Sequence, residues 1–259
     1  MPSDNPTDDL SGFLHPGVRE VYRDATIWAL DKPAGILSHP NPPTARVCNA
    51  LVRGTYDFER ELYRVDPAEG RQRQVYLVHR LDQETSGIIL LTFDSTSSAT
   101  LKEAFFHREV TKEYRALVVG VPSKRQGEWA DCLQKVSKGG QAVVQVARGR
   151  PNAVTRYSVV EAFEPWGLSL LALWPETGRT HQLRVQTSSR GFPIACDARY
   201  GDLAANRRLA DQIGLKHMFL HAYRVELRHP RSGHFLKLEA PFSSRLAGPL
   251  EKLRGEKIP

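Results

Sequence analysis

The sequence is poor in cysteine and lacks any long uninterrupted apolar run. Its 259 residues include three cysteines, and Cys48, Cys132 and Cys196 lie far apart without forming a Cys-x-x-Cys pair. A disulfide framework and a zinc knuckle are therefore disfavoured, and a reducing cytoplasm suits the chain best. No stretch of the sequence approaches the about 18 consecutive apolar residues of a membrane span. The acidic, proline-containing start also lacks the basic and apolar regions of a secretion signal.

Several motifs that would identify a chemistry directly are missing as well. The sequence contains no GxGxxG or GxxxxGK[ST] phosphate loop, no HExxH zinc motif and no GxSxG nucleophile elbow. These absences argue against a dinucleotide enzyme, a P-loop nucleotide hydrolase, a zinc protease and an α/β-hydrolase. The chemistry must therefore be sought in less common residue patterns.

Positive charge is what the sequence has in excess. Lys and Arg number 36 against 29 Asp and Glu, which gives a formal net charge of +7. Such a balance favours an anionic partner, with nucleic acid as the first candidate. A basic surface that binds no polyanion explains the same number equally well, so charge alone does not decide.

The pattern of apolar residues predicts an α+β fold with a largely antiparallel mixed sheet and flanking helices and loops. Apolar runs of strand length recur with few helical segments between them, whereas a doubly wound parallel sheet needs a helix after nearly every strand. Strands are predicted at 75–78, 88–93 and 113–120, and Asp94 offers an N-cap for a helix through 101–109.

The same reading divides the chain into three parts. Residues 1–20 are predicted to be a mobile tail, residues 21–245 one catalytic domain and residues 246–259 a C-terminal tail. Within the domain, residues 36–74 are polar and rich in Pro and Gly. They predict an exposed basic excursion with a short helix around 47–53.

Two polar clusters interrupt these apolar runs. In the first, "HRLDQETSG", charged residues separate two predicted strands, and Asp82 with Thr85 could simply form a turn there. In the second, "ETGRTHQLRVQ", a strand gives way to a predicted short helix on which Arg184 follows His181 by three positions. Thr180 could serve only as the cap of that helix. Each cluster, taken singly, is explained as well by local structure as by function.

Taken together, the two clusters resemble a known family. "HRLDQETSG" is similar to the HRLD-x-x-TSG signature of RluA-type pseudouridine synthases, and "GRTHQLRVQ" to their second signature, GRTHQ-[IL]-R-x-H. Further pieces follow in the family's order: "DKPAGILSHP", "TKEYRALV", "GFPIACDARYGD" and "FLHAYRVELRHP". The resemblance runs from about Val21 to Phe242 and so covers most of the chain.

The resemblance implies an enzyme that isomerises uridine in rRNA or tRNA to pseudouridine without a cofactor or metal. Asp82 would be the catalytic aspartate, which either adds to C1′ of the sugar or takes a proton from C2′. Arg184 would pair with this aspartate and oppose the rise in its pKa that burial causes. Tyr114 would stack on the base, close to the proton that leaves C5.

Arg80 would help to extract the target base from folded RNA. Flipping a nucleotide costs a few kcal/mol, and a planar guanidinium can fill the gap left in the stack. Residues i and i+2 of an extended chain share a face, so Arg80 and Asp82 could address one nucleotide. His79, Arg179, Thr180 and His181 complete the set of residues expected to contact RNA.

The sequence departs from the family pattern at two positions and leaves other readings open. Gln186 stands where the family usually has histidine, and Cys196 where it often has glycine.

The short segment before the first core strand is expected to leave no room for an S4 RNA-binding domain, and a monomer is expected. A non-catalytic RNA-binding or RNA-folding protein on the same scaffold is the alternative. A glycosidase-like hydrolase ranks last, because a suitably spaced second acid is not evident.

Overall fold

The computed structural model describes residues 10–41, 49–66, 72–139 and 141–255. The strands are β1 (Arg19–Arg23), β2 (Ile27–Lys32), β3 (Thr55–Asp57), β4 (Leu62–Val65), β5 (Arg73–Leu77), β6 (Ser86–Thr92), β7 (Thr111–Val119), β8 (Gln126–Lys138), β9 (Gln141–Ala147), β10 (Ala153–Phe163), β11 (Leu168–Pro175), β12 (Leu220–Arg228) and β13 (Phe235–Glu239). The helices are α1 (Ser95–Phe106), α2 (Gln182–Ser188), α3 (Leu203–Ile213) and α4 (Ser244–Gly255), with 3₁₀ turns at Ser11–Phe13 and Glu164–Trp166. None of these helices is long and apolar enough to cross a membrane.

The chain divides into two compact units. The first comprises Met1–Val110 and Val225–Ala240, and the second comprises Thr111–Arg224 and Pro241–Pro259. The chain therefore passes from the first unit to the second before β7, and β12 carries it back.

The first unit is an antiparallel sheet with its strands in the order β3-β4-β5-β6-β2-β1. The two strands β2 and β6 are buried along their whole length, which explains why their sequences are continuous apolar runs rather than alternating ones. Helix α1 begins where the Asp94 carboxylate accepts the backbone N–H of Ser97, as predicted for an N-cap. Leu101 of α1 packs with Ile88 and Leu90 in the core of this unit.

The second unit contains an antiparallel sheet in the order β7-β11-β10-β8-β9. Its core gathers apolar residues of β7, β10 and β11 together with those of α3 and α4. The strand pairs within these two sheets are all antiparallel, so the expected largely antiparallel α+β fold is confirmed.

Several expectations about the less regular parts of the chain need correction. Residues 246–255 are not a tail, because they form most of α4 and its leucines Leu246, Leu250 and Leu253 are buried in the second unit. Residues 10–20 include a 3₁₀ turn and the start of β1, and Leu10 is buried; residues 1–9 lie outside the described residues.

The predicted excursion at 36–74 is also more ordered than expected. It contains β3 and β4, which place Tyr56, Leu62 and Tyr63 in buried positions. The short helix expected around 47–53 falls partly outside the described residues, and the part that is described holds Ala50 and Val52 in isolated β-bridges instead.

Candidate functional site

The residues singled out from the sequence lie in both units. His79, Arg80 and Asp82 belong to the first unit, in the segment that joins β5 to β6. Tyr114 lies in β7 of the second unit, opposite Leu173 of β11. The remaining ones, Arg179, Thr180, His181 and Arg184, lie in or just before α2 of the second unit.

One serine hydroxyl holds the segment that carries Arg80 and Asp82. Ser38 Oγ accepts the backbone N–H of Leu81 at 3.0 Å and donates to the carbonyl oxygen of Leu81 at 2.8 Å. Ser38 and Leu81 are both buried, whereas Arg80 is exposed and Asp82 is half-buried. Because Leu81 is anchored inward by its backbone, its two charged neighbours emerge beside it. The chain then turns back through a hydrogen bond from the Thr85 N–H to the Asp82 carbonyl oxygen.

A buried lysine supports the other side of this turn. The Lys32 ammonium donates to the carbonyl oxygens of Ile36 at 2.7 Å, Gln83 at 2.9 Å and Pro33 at 3.1 Å. Three acceptors match the three N–H donors of an ammonium group. The Gln83 carbonyl also accepts the N–H of Gly35, which has a positive φ of 89° that favours glycine. The loop after β2 and the turn at Asp82 are therefore tied together at one carbonyl oxygen.

Burial makes Lys32 an unusual lysine. Removal from water lowers its pKa to about 7, although the carboxylates of Glu84, Asp82 and Asp31 act in the opposite direction. The charged form of this side chain thus survives at neutral pH partly because of the acidic residues of the Asp82 turn. Nothing in the "DKPAG" pattern marked Lys32 for burial, since a lysine beside a Pro-Gly turn is ordinarily exposed.

We expect the free energy of unfolding of the wild type to rise, relative to the Lys32→Met variant, from about pH 7 to about pH 9. In that window the folded protein has released the Lys32 proton, whereas the unfolded chain keeps it, because its lysine has an ordinary pKa near 10.4. The unfolded state therefore binds more protons, and raising the pH favours folding by up to about 1.4 kcal/mol per pH unit. Urea unfolding at several pH values measures the difference. For the exposed Lys124→Met variant, the difference from wild type in the free energy of unfolding should be the same at every pH. A difference that is likewise independent of pH for Lys32→Met would contradict the prediction.

His79 takes part in packing rather than standing open to solvent. Its Nε2 accepts the backbone N–H of Leu90 at 3.1 Å, and its ring stacks on Phe105 of α1 with centroids 4.8 Å apart. These contacts support a structural role in joining the segment to β6 and α1. A contact between His79 and RNA stays a prediction.

Around α2, Tyr200 brings two of the predicted residues together. His181 Nδ1 lies 2.8 Å from the Tyr200 hydroxyl, and the Arg184 guanidinium lies over the Tyr200 ring at 5.1 Å. His181 is itself the N-cap of α2, in the left-handed conformation with φ 54°, so the expected cap at Thr180 is wrong by one residue. Thr180 is exposed, and so is Arg179, whose Nε donates to the Asn152 carbonyl oxygen.

Arg184 has a carboxylate partner that the sequence did not reveal. Its Nε and Nη2 donate to the two oxygens of Asp197 at 2.7 and 2.8 Å, with both side chains buried. Asp197 Oδ1 also accepts the backbone N–H groups of Arg199 and Tyr200. Burial raises the pKa of Asp197, but the bonds and charge of Arg184 outweigh it and leave the pKa below its ordinary value. The predicted pairing of Arg184 with Asp82 stays a prediction.

The two departures from the expected motif are both accommodated. Gln186 is fully buried; its Oε1 accepts from the Thr155 hydroxyl at 2.7 Å and its Nε2 donates to Asp131 Oδ2 at 2.8 Å. Cys196 has a φ of 60°, the left-handed region in which glycine is most easily accommodated. Its thiol donates to the Leu215 carbonyl oxygen, and burial raises its pKa to about 11.

No group of three or more His, Cys, Asp or Glu side chains suited to a metal ion occurs among the described residues. The chemistry that these residues offer is that of a half-buried carboxylate beside an exposed guanidinium in one unit. The other unit offers a tyrosine on a strand and a buried, oriented arginine.

Comparison with known proteins relates the whole arrangement to one family. Residues 26–189 match the family model described as RNA pseudouridylate synthase. The chain is 35% identical over 246 residues to the ribosomal large subunit pseudouridine synthase C of Haemophilus ducreyi, covering 92% of this chain and 69% of that protein. It is 34% identical over 236 residues to the protein of the same name from Escherichia coli K12, covering 90% and 69%. Among solved structures, human RNA pseudouridylate synthase domain containing 4 is similar, with a TM-score of 0.66 at 24% identity over 95% of this chain and 94% of that one.

Proposed function

Because the chain belongs to the RNA pseudouridylate synthase family and is an RNA pseudouridine synthase, we propose that it isomerises uridine in large-subunit ribosomal RNA with Asp82 as its catalytic carboxylate. The observation that carries the choice of RNA is the identity of about one third to two synthases named for the large ribosomal subunit, over nine-tenths of this chain. Ribosomal RNA is a polyanion, which suits the formal charge of +7.

Asp82 acts on the sugar of the target nucleotide. The reaction breaks the bond between C1′ and N1 of uracil and forms a bond between C1′ and C5, so the sugar is electron-deficient in between. An ionised carboxylate meets this need by adding to C1′ or by removing the C2′ proton. The freed base turns within the site and re-bonds through C5; C5 then loses its proton, N1 gains one, and a proton taken from C2′ returns to C2′. Atoms and electrons balance without an oxidant or reductant.

Arg184 and Tyr114 are the two residues of the second unit that the family resemblance assigns to this chemistry. The family's second signature assigns Arg184 as the basic residue of this chemistry. Its two bonds to Asp197 support this role, since they fix the guanidinium before RNA binds. Tyr114 stacks on the uracil and lies near the proton lost from C5.

Basic residues outside the motifs hold the RNA backbone. Lys135 is exposed on β8, Arg148 and Arg150 are exposed just beyond β9, and Arg207 and Arg208 are exposed on α3. Such side chains contact phosphates and fix the position of the RNA without reading its sequence. Arg179, Thr180 and His181 extend this contact surface beside α2.

Release of tritium from RNA labelled at uracil C5 tests the proposed function. With the wild-type protein, unmodified large-subunit ribosomal RNA should release an amount of tritium proportional to its number of target uridines. Small-subunit RNA and transfer RNA serve as comparison substrates. Release from only one of the comparison RNAs would mean that this RNA, and not large-subunit RNA, is the substrate. If no RNA released tritium although the protein still bound RNA, a non-catalytic RNA-binding protein would be favoured.

We expect the Arg80→Ala variant to lose activity on a folded RNA stem far more than on a flexible single strand. Arg80 fills the gap in the stack that the flipped uridine leaves, and a flexible strand has no such gap to fill. Since flipping costs a few kcal/mol, the loss on the stem should be about 100-fold. Tritium release from the two substrates measures the ratio. Arg80→Lys should also lose activity on the stem, because lysine has no planar group. The exposed Arg245→Ala variant is the control and should have wild-type activity on both substrates. Equal losses on both substrates would refute the role.

A further inference from the structure

His39 lies directly beside the guanidinium of Arg80, although the two residues are far apart in the sequence. The Arg80 Nη1 lies 3.0 Å from His39 Nε2. His39 follows Ser38, whose hydroxyl binds both backbone polar groups of Leu81, the neighbour of Arg80. The loop after β2 thus brings His39 to Arg80 by the same contact that anchors Leu81.

The hydrogen bonds of His39 define which of its nitrogens carries a proton. His39 Nδ1 lies 2.8 Å from the carbonyl oxygen of Pro40, which can only accept a hydrogen bond. Nδ1 therefore carries the hydrogen, and Nε2 of the neutral ring carries the lone pair. Arg80 can only donate. The neutral ring with its hydrogen on Nδ1 satisfies both neighbours at once.

Aromatic side chains of the β3–β4 region hold the His39 ring in this orientation. The ring stacks on Tyr56, with centroids 5.0 Å apart and an interplanar angle of 11°, and Phe58 meets it edge-on at 6.1 Å. Tyr56 in turn packs against the fully buried Tyr63, whose hydroxyl donates to the Ser38 carbonyl oxygen at 2.6 Å. The Nε2 acceptor is therefore fixed in direction before any RNA is present.

We infer that His39 is a positioning residue that holds the Arg80 guanidinium ready to enter the RNA stack. An exposed arginine has many rotamers, and selecting one of them in advance lowers the entropic cost of inserting it. The inference rests on the proposed function of Arg80 and adds to it the residue that sets the guanidinium's orientation. In this role His39 acts on the RNA through Arg80.

Two substitutions of His39 separate this role from simple packing. His39→Gln keeps an acceptor oxygen near the place of Nε2 but loses the ring, and His39→Phe keeps a ring to stack on Tyr56 but has no acceptor. For a positioning residue, His39→Phe should lose about tenfold in activity on a folded RNA stem, and His39→Gln should keep most of it. On a flexible single strand both variants should equal the wild type.

The measurement is tritium release from the two substrates, with thermal unfolding as a check on folding. The opposite order, with His39→Phe active and His39→Gln impaired on the stem, would overturn the inference in favour of packing. Equal activity of both variants and wild type on the stem would overturn it as well.

The Arg80→Ala variant separates this inference from the proposed function beneath it. In that background His39→Phe should have no further effect, because the group that His39 positions is gone. If Arg80→Ala loses activity equally on both substrates, the stacking role of Arg80 fails and the inference fails with it. If Arg80→Ala is selective for the stem while His39→Phe equals the wild type, the role of Arg80 stands and only the inference is wrong.

Discussion

Asp82→Asn is expected to lower the rate of tritium release at least about 10³-fold, while RNA binding changes little. Asparagine has nearly the shape of aspartate, and the hydrogen bond from Thr85 uses the backbone carbonyl of residue 82, so the turn is kept. What is lost is the negative charge that the proposed mechanism uses to add to C1′ or to take the C2′ proton. Single-turnover tritium release and a filter-binding assay on the same RNA measure the two effects.

The matched control for this variant is Asp211→Asn, the same chemical change on the exposed face of α3. It should retain full activity. Release by Asp82→Asn within about tenfold of wild type would mean that another group supplies the carboxylate chemistry. Loss of activity together with loss of RNA binding would point to a disturbed turn rather than to a missing catalytic group.

Asp197→Ala is expected to lower the free energy of unfolding by about 3–5 kcal/mol, because it leaves the Arg184 charge buried without its partner. It also deprives the backbone N–H groups of Arg199 and Tyr200 of their acceptor. Urea unfolding measures the loss, and the exposed Asp211→Ala provides the matched control. A loss below about 1 kcal/mol would show that water or another group replaces Asp197.

Two further measurements sharpen this prediction. Replacing both partners, as Arg184→Met with Asp197→Leu, should recover much of the stability, since an apolar pair carries no uncompensated charge. It should not recover activity, because Arg184 is gone. The folded pKa of Asp197 is lowered, so its contribution is present above the unfolded pKa of about 3.9 and is lost as the pH falls through the folded value. The difference between wild type and Asp197→Ala should therefore shrink only below about pH 4.

The regular part of the fold follows from local patterns. The apolar runs of β6 and β7 and the N-cap at Asp94 are encoded within a few residues, and the structure has them close to where the sequence predicts them. Helix α4 escaped prediction because it contains Gly248 and Pro249, two residues that disfavour a helix interior. Three leucines on its buried face offset that weakness by packing into the second unit.

The candidate site was predictable as motifs but not as a network. The residues expected from the family signatures are present, yet the groups that hold them come from elsewhere in the chain. Ser38 reaches Leu81 across 43 positions, and Asp197 reaches Arg184 across 13. Such pairs depend on tertiary packing, and a single sequence without a measure of co-variation carries no signal for them. The flanking segments "DKPAGILSHP" and "GFPIACDARYGD" held these partners, but their roles could not be assigned from residue type alone.

The two hydrogen bonds between Ser38 and the backbone of Leu81 have a consequence for how this site can change by substitution. The segment bearing Arg80 and Asp82 has its position set by a loop that lies outside the HRLD signature. A substitution in that loop, at residues 33–41, can shift the reach of Arg80 while every position of the HRLD signature stays unchanged. In this chain, such a substitution is expected to change which RNA folds are modified. The supporting loop, and not only the motif, therefore determines where Arg80 can reach.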